Sequence, residues 1–273
     1  MTQQTILITG CSSGIGRTTA RYFQERGWNV VATVRSNPEA DQELNALDNV
    51  LVTRLDVIRK DSIDAAIAAG IERFGRIDVL LNNAGYGSYG LLEATPEHKM
   101  RRQYEVNVIG TLLVMQSILP HFRQRGDGLI INISSMGGKI TFPLGTLYHG
   151  SKFAVEGMTE ALSYELASIG VTVKLVEPGV INTNFSTTSF DLNLDASLTE
   201  YNAFVETVTG AFGSIAARGS EPMVVADTVW QAATDGTRQL RYIAGDDARQ
   251  IIAARQQMSD PEYLALMRSQ MGL

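Results

Sequence analysis

Thr5-Ile6-Leu7-Ile8-Thr9-Gly10-Cys11-Ser12-Ser13-Gly14-Ile15-Gly16 is the stretch on which the fold turns. Ile6–Thr9 reads as a short strand, and from Gly14 onward the apolar residues take helical spacing until Gly27. Between them lie three glycines in the pattern Gly10-x-x-x-Gly14-x-Gly16. Glycine at such places lets the backbone approach a pyrophosphate at a helix N-terminus, where unpaired N–H groups and the helix dipole favour negative charge. The loop, with Ser12, Ser13 and Ile15 between and beside its glycines, is therefore a candidate dinucleotide site; a plain tight turn is the alternative.

Downstream the alternation repeats. Apolar, β-branched runs at Asn29–Val34, Val50–Leu55, Ile77–Asn82, Leu129–Ser134, Val171–Glu177 and Arg241–Ala244 are separated by helix-period segments. Runs such as Val79-Leu80-Leu81 lack polar alternation, as expected of strands covered on both faces. This rhythm predicts an α/β fold of the Rossmann type over residues 1–273, a single domain. Its doubly wound, mostly parallel sheet has seven strands, with helices on both faces. Thr95-Pro96-Glu97 reads as a cap with proline at the first helical position, and Ser259-Asp260-Pro261-Glu262 as a capping box. Asn182 to Ser220, rich in Ser, Thr and Gly, breaks the rhythm and reads as an insertion, with a lid over about 184–220.

Composition narrows the function. With 44% hydrophobic residues in 273, the chain can bury a substantial core. Acidic side chains outnumber basic ones 29 to 23, the net charge is −6, and basic clusters are no longer than runs such as Arg101-Arg102. That balance argues against a nucleic-acid partner. The lone cysteine, Cys11, forms no intrachain disulfide and is expected to pack as a small apolar residue. The first strand begins almost at once, and the most apolar stretch, Val106–Leu119, is interrupted and too short for a bilayer span. A cytoplasmic protein without a membrane partner is expected. No two histidines have metal-ligand spacing, so no metal is assigned.

Tyr148 and Lys152 stand four residues apart in Tyr-His-Gly-Ser-Lys, with Ser135 thirteen residues upstream. A free phenol is only about 0.1% ionised at neutral pH, so a tyrosine that moves protons needs a cation beside it. One helical turn puts Lys152 on the face of Tyr148. On its own the pair is equally an amphipathic tyrosine and a solvated lysine; the glycine loop makes the proton-transfer reading the sharper one. At the end of the second strand, Ala32-Thr33-Val34-Arg35, there is no carboxylate of the kind that binds a ribose 2′-hydroxyl. Arg35 with Ser36 suits a 2′-phosphate, because guanidinium and phosphate pair through a planar fork. NADP(H) is therefore expected in preference to NAD(H), the alternative being an exposed loop arginine with NAD(H) binding unaffected.

With these residues in place, the chain resembles the short-chain dehydrogenase/reductase family, in its compact branch, from residue 5 to about 183. Thr9-Gly10-x-x-x-Gly14-Ile15-Gly16 is similar to the family's glycine loop and Asn82-Asn83-Ala84-Gly85 to its signature after the fourth strand. Asp56-Val57 resembles the adenine-contacting pair, and Pro178-Gly179-x-x-x-Thr183 the segment that closes on the nicotinamide. Asn107, Ser135, Tyr148 and Lys152 match the catalytic positions. The resemblance implies hydride exchange between a nicotinamide cofactor and a small-molecule carbonyl or secondary alcohol. Tyr148 would be the acid, Ser135 would polarise the same oxygen, and Lys152 would bind ribose hydroxyls and lower the tyrosine pKa. Asn107 would hold a proton-relay water. It further implies a homodimer or homotetramer paired through helices around 96–124 and 148–169. A catalytically silent NADP-binding regulator is the rival class, disfavoured because the tyrosine, lysine and serine are all present. A weaker likeness points to hydroxysteroid and retinol dehydrogenases.

In an open α/β sheet the ligand crevice lies beyond the carboxyl ends of the strands. Segments there carry Tyr86, Tyr89, Met136, Leu144 and Phe185, of which Tyr86, Leu144 and Phe185, with Ser135 and Tyr148, are the candidate substrate contacts. Leu198, Tyr201, Val205, Val208, Phe212 and Ile215 recur at helical spacing, either as a lid over that crevice or as a stripe packed on the protein's own core or a partner subunit. The first reading favours a hydrophobic substrate. His149 is expected to wall the pocket and not to act as a base.

Overall fold

The computed structural model describes residues 3–183, 189–216 and 218–273. Strands β1 (Thr5–Ile8), β2 (Asn29–Val34), β3 (Val50–Arg54), β4 (Val79–Asn82), β6 (Gly128–Ile133), β7 (Val171–Pro178) and β9 (Arg241–Ala244) form one sheet in the order β3-β2-β1-β4-β6-β7-β9. Every neighbouring pair is parallel. These are the seven strands read from the sequence, and the sheet is more uniform than the mostly parallel one expected. Two further strands, β5 (Gly87–Gly90) and β8 (Phe190–Asn193), pair in parallel outside it.

The helices are α1 (Gly14–Gln24), α2 (Gln42–Asn45), α3 (Lys60–Phe74), α4 (Glu97–Tyr104), α5 (Thr111–Arg125) and α6 (Thr146–Ala167), followed by α7 (Asn202–Ala216), α8 (Pro222–Thr234), α9 (Asp246–Gln257) and α10 (Asp260–Met271). They cover both faces. Ile6 and Ile8 of β1 pack with Phe23 and Trp28, while Leu7 between them packs with Ile63, Ile118 and Phe122 on the other side. All three are fully buried, which is why β1 has no polar alternation. Cys11 lies in the first of these cores, as a small apolar residue would.

Side-chain hydrogen bonds settle details that periodicity could not. Thr95 does not cap α4: its hydroxyl donates to the Leu91 carbonyl at 2.7 Å, and extended Pro96 precedes the helix as its N-cap instead of entering it. The Ser259–Glu262 capping box is present. The stretch from Asn182 to Ser220 is more regular than its composition suggests. Its ends meet in a parallel bridge between Ile181 and Ser220, with Asn182 N–H donating to Ser220 O at 2.8 Å, and it contains β8 and α7.

A buried polar ladder ties the sheet to α6, the helix that carries Tyr148 and Lys152. Asn82 Nδ2 donates to Asn132 Oδ1 at 2.8 Å, and Asn132 Nδ2 donates to Thr159 Oγ1 at 2.9 Å. Asn132 and Thr159 are fully buried. Truncating the middle member leaves the Asn82 amide without its partner, while Thr159 keeps its bond to the Val155 carbonyl at 2.6 Å, and an unsatisfied buried polar group costs about 1–3 kcal/mol. Asn132→Ala is therefore expected to lower stability by at least that amount in urea denaturation. A loss within about 0.5 kcal/mol would mean that the ladder does not anchor the helix.

Candidate active site

The chain reverses its direction of sheet growth between β1 and β4, and the loops leaving those strands lie against each other. Thr9 Oγ1 accepts from Asn83 N–H at 2.9 Å and Ala84 N–H at 3.0 Å. Asn83 Nδ2 returns bonds to the Thr9 and Gly10 carbonyls at 2.9 and 3.1 Å. Gly10 and Gly14 have φ of +76° and +56°, a region that side chains with a Cβ rarely adopt. At Gly16 a Cβ would run into the Gly10 carbonyl oxygen and the Asn83 carboxamide. Ser13 is extended at the N-cap of α1 and makes no side-chain cap bond, so the first-turn N–H groups face the loop. Ser12 is exposed and Ile15 half-buried against the β1 core. These features form a cradle into which a side chain would not fit but a pyrophosphate would.

The remaining cofactor candidates come from distant parts of the chain. Thr183 lies over Gly14, where a built Cβ would be 3.3 Å from the threonine Cβ. Gly179, after Pro178, donates to Ala244 O at 2.9 Å, and a Cβ there would overlap the Asp247 carboxylate. Asp56 Oδ1 accepts from Ile58 N–H at 3.3 Å, buried Val57 packs against Gly110, and exposed Gly85 faces Asn107. Arg35 and Ser36 are both exposed at the end of β2. Ser36 borders a cleft of about 390 Å³ with Ser12, Val34 and Asn37. The same cleft is lined by three charged residues that sequence reasoning missed. Arg17 makes a two-pronged pair with Asp41, at 2.7 and 2.9 Å, and also holds Glu43 at 2.7 Å. Neither carboxylate is next to β2 in sequence; α2 brings them in.

Ser135, Tyr148 and Lys152 converge at the carboxyl end of β6. Ser135 Oγ accepts Gly137 N–H at 3.0 Å and hydrogen-bonds Tyr148. Buried Ser134 Oγ has no hydrogen-bond partner among the described residues, so of the two adjacent serines it is Ser135 that bonds the phenol. Lys152 Nζ lies 5.8 Å from the Tyr148 ring centre and donates to the Ile133 carbonyl at 2.9 Å. Here the electrostatics differ from expectation. Burial pushes the Tyr148 phenol above its ordinary value, opposed by the Ser135 hydrogen bond. The reason is that the ammonium is directed at a carbonyl, and is itself pushed down to about 8 by burial, with the Glu156 charge opposing.

Asn107 sits in a π-turn, Glu105–Gly110, between α4 and α5. Its carboxamide clamps the backbone of Tyr86: Oδ1 accepts Tyr86 N–H at 3.1 Å and Nδ2 donates to Tyr86 O at 2.8 Å. Thr111 Oγ1 donates to the Asn107 carbonyl at 2.9 Å. Asn107 thus braces the loop after Gly85. π-Turns of this kind recur at functional sites.

A family model described as short chain dehydrogenase matches residues 4–193. The chain belongs to the short-chain dehydrogenase family. An uncharacterised oxidoreductase of Schizosaccharomyces pombe is 43% identical over 86% of this chain and 99% of its own length. The 3-ketodihydrosphingosine reductase of Bacteroides thetaiotaomicron is 40% identical over 68% of this chain and 67% of its own. Among solved structures, a short-chain dehydrogenase from Streptomyces avermitilis superimposes with a TM-score of 0.84 at 31% identity, covering 99% of this chain and 98% of that one. A 3-ketoacyl-(acyl-carrier-protein) reductase from Brucella melitensis, complexed with NADH, gives 0.73 at 26% identity over 89% and 98% of the two chains. A dehydrogenase from Burkholderia cenocepacia in complex with NADP gives 0.75 at 25% over 97% of each. The chain is accordingly an oxidoreductase of the short-chain dehydrogenase/reductase type, acting on a small molecule.

Beside Tyr148 this dehydrogenase builds an aromatic wall. Tyr89 stacks on Tyr148 at 5.3 Å between ring centres and on Phe190 at 4.9 Å, and Phe212 of α7 meets Tyr89 edge-on at 6.2 Å. Phe190 escaped sequence reasoning because Phe-Asp-Leu-Asn lacks an apolar run and lies in a stretch read as an irregular insertion. Leu144, held at φ +60°, packs with Leu91 and Val208, while Leu198, Val205 and Phe212 pack onto that cluster. The stripe from Leu198 to Ile215 therefore packs on the protein itself, with Phe212 reaching the wall beside Tyr148. Half-buried Tyr86 enters through its backbone, and Phe185 lies outside the described residues. His149 is buried: Nδ1 donates to Gly137 O and Nε2 accepts from Phe142 N–H, both at 2.9 Å. Burial lowers its pKa, and both nitrogens are engaged, which makes it the wall residue expected. Among the described residues no helix is long and apolar enough to cross a membrane, and no group of three or more His, Cys, Asp or Glu converges to hold a metal.

Proposed function

We propose that this oxidoreductase is an NADP(H)-dependent carbonyl reductase or alcohol dehydrogenase acting on a hydrophobic substrate. The observation that carries the reading is the hydrogen-bonded Ser135–Tyr148 pair with Lys152 one turn along, in a chain with the glycine cradle, and with the Tyr89–Phe190 wall stacked on the phenol. The nicotinamide supplies or accepts the hydride. In reduction Tyr148 donates its phenolic proton to the substrate oxygen, and Ser135 hydrogen-bonds that oxygen as negative charge develops on it. A phenol whose pKa is raised by burial keeps its proton until it is needed, which suits the reductive direction. Lys152 holds the ribose hydroxyls, Asn107 braces the loop beside the cofactor, and the Gly10/Gly14/Gly16 loop receives the pyrophosphate.

Arg35 and Ser36 support NADP(H) over NAD(H). The acids in the adenosine cleft, Asp41 and Glu43, are neutralised by Arg17, with Arg21 also on Glu43, which leaves Arg35 available to a 2′-phosphate. Apolar side chains around the catalytic tyrosine favour a hydrophobic carbonyl over a sugar, and the sphingoid ketone named for the Bacteroides relative is a substrate of that character. We also read the chain as one cytoplasmic domain that pairs with copies of itself. Ile109, Leu112 and Phe153 are exposed at 48%, 39% and 46% on the π-turn, α5 and α6 that would form the interface.

Three outcomes are expected. Tyr148→Phe retains NADPH binding by fluorescence titration but loses turnover on aryl ketones, steroids and long-chain carbonyls by about 10²–10⁴-fold; near-normal rates would sink the mechanism. Arg35→Ala raises the KM for NADPH about 10- to 100-fold while leaving that for NADH in place; an unchanged preference would remove the argument for the 2′-phosphate. Light scattering coupled to size exclusion gives a dimer or tetramer mass, and a monomer at micromolar concentration would contradict the pairing.

A further inference from the structure

Behind Lys152 lies a charged cluster that the reading above does not use. Glu156 follows Lys152 by one turn of α6, and Glu177 stands on β7 immediately before Pro178-Gly179; the two are 4% and 1% exposed. Both face one guanidinium. Arg241 Nε, from edge strand β9, is 2.9 Å from Glu156 Oε2 and 3.4 Å from Glu177 Oε1, and Arg241 Nη2 holds Glu160 at 2.5 Å. Two dry carboxylates converge on one guanidinium nitrogen, and like charges held that close in a dry site are costly unless a proton joins them. The unsatisfied atoms point to where it sits. Glu156 Oε1 and Glu177 Oε1 are both fully buried and neither receives a hydrogen bond from a donor among the described residues. A proton between the two carboxyls turns one into a donor and satisfies both.

The cluster is packed against the catalytic machinery. A Cβ on Gly138, in the turn after Ser135, would lie 2.9 Å from Glu156 Cγ, 3.0 Å from the Lys152 carbonyl and 2.8 Å from Ser134 Oγ. The strip of α6 from Lys152 to Glu156 therefore has no slack against the serine's turn. Five charged groups bear on the pair's proton or on each other: Lys152 and Glu160 on α6, Lys139 after the Met136–Gly138 turn, Arg241 on β9, and Glu177 facing Glu156 from β7.

We propose that Glu156 and Glu177 share one proton and act as a positioning pair for Lys152, their single residual negative charge keeping the buried ammonium protonated while Arg241 holds the two carboxyls together. The shared proton stands on the packing alone; its consequence for catalysis rests on the reading of Tyr148 and Lys152 above. The electrostatics agree. Burial, and then the Glu156 charge, push the Glu177 carboxyl up to about 7, and Glu156 opposes the lowering of Lys152. A carboxyl raised in the folded state contributes stability that is present at low pH and lost as pH rises through its folded value.

The test begins with infrared titration of the full-length, cofactor-free enzyme. A buried protonated-carboxyl C=O band is expected below about pH 7, lost on titration through it. The band should be missing in Glu177→Gln, whose amide keeps the bond to Glu156 without the proton. A wild-type spectrum without the band below pH 7, or a variant that retains it, overturns the shared proton, whatever the enzyme turns over. Coupling to Lys152 is read by competitive acetylation followed by mass spectrometry. Glu156→Gln should move the Lys152 midpoint down by about one pH unit, along with the basic limb of kcat/KM. An unmoved Lys152 midpoint overturns the positioning role. Loss of the oxidoreductase reading would appear separately, as turnover unaffected by Tyr148→Phe.

Discussion

The hydroxyl of Thr9 is the fastening on which the site depends. By accepting the N–H groups of Asn83 and Ala84, while Asn83 reaches back to the Thr9 and Gly10 carbonyls, it joins the loops leaving β1 and β4. That is the point where the sheet changes its direction of growth, so a crevice opens there in any doubly wound fold. Gly16 is required for the same reason: a Cβ would push the two loops apart. Three later segments then close on this fixed edge, bringing Asn107 through the π-turn, Ser135 at the end of β6 and Thr183 after β7.

Helix α6 carries the other half of the site, and its spacing has consequences along its length. Tyr148, Lys152 and Glu156 fall at successive turns and Thr159 anchors the helix to Asn132. Burial acts on the ionisable members in opposite senses, up for the Tyr148 phenol and down for the Lys152 ammonium, because in each case it disfavours the charged form. The serine hydroxyl and the Glu156 charge oppose those shifts. The behaviour of the pair is thus set by its surroundings as well as by the helical turn, burial favouring the neutral form of both members.

Much of this was legible in the chain. All seven strands of the main sheet were legible as short runs, most clearly at β1 and β4, where a strand buried on both faces carries few polar positions. Gly10, Ser135, Tyr148 and Lys152 were recognisable because dinucleotide binding and phenol proton transfer need particular residues at particular separations. What escaped has a common physical cause. Strands β5 and β8, Gly-Ser-Tyr-Gly and Phe-Asp-Leu-Asn, carry no apolar run and are held by side-chain bonds such as those of Asn193 to Ser88 and Tyr89, which periodicity does not register. Thr95 has a cap's identity, but its hydroxyl finds a nearer carbonyl. Arg17, Asp41 and Glu43 carry no motif, and meet only because α2 folds across the end of β2.

By itself, then, the sequence determined the layer architecture, the order of the strands along the chain, the glycine loop and the family's catalytic residue types, since each depends on local pattern or on chemistry tied to short spacings. Only the tertiary structure decided that Lys152 turns its ammonium to the Ile133 carbonyl, and that Tyr89 and Phe190, 101 residues apart, form one wall. It also brought Glu156, Glu177 and Arg241 together behind the lysine. Hydrogen-bond direction, desolvation and contacts between distant segments depend on where each group lies in space, and no window along the chain contains that information.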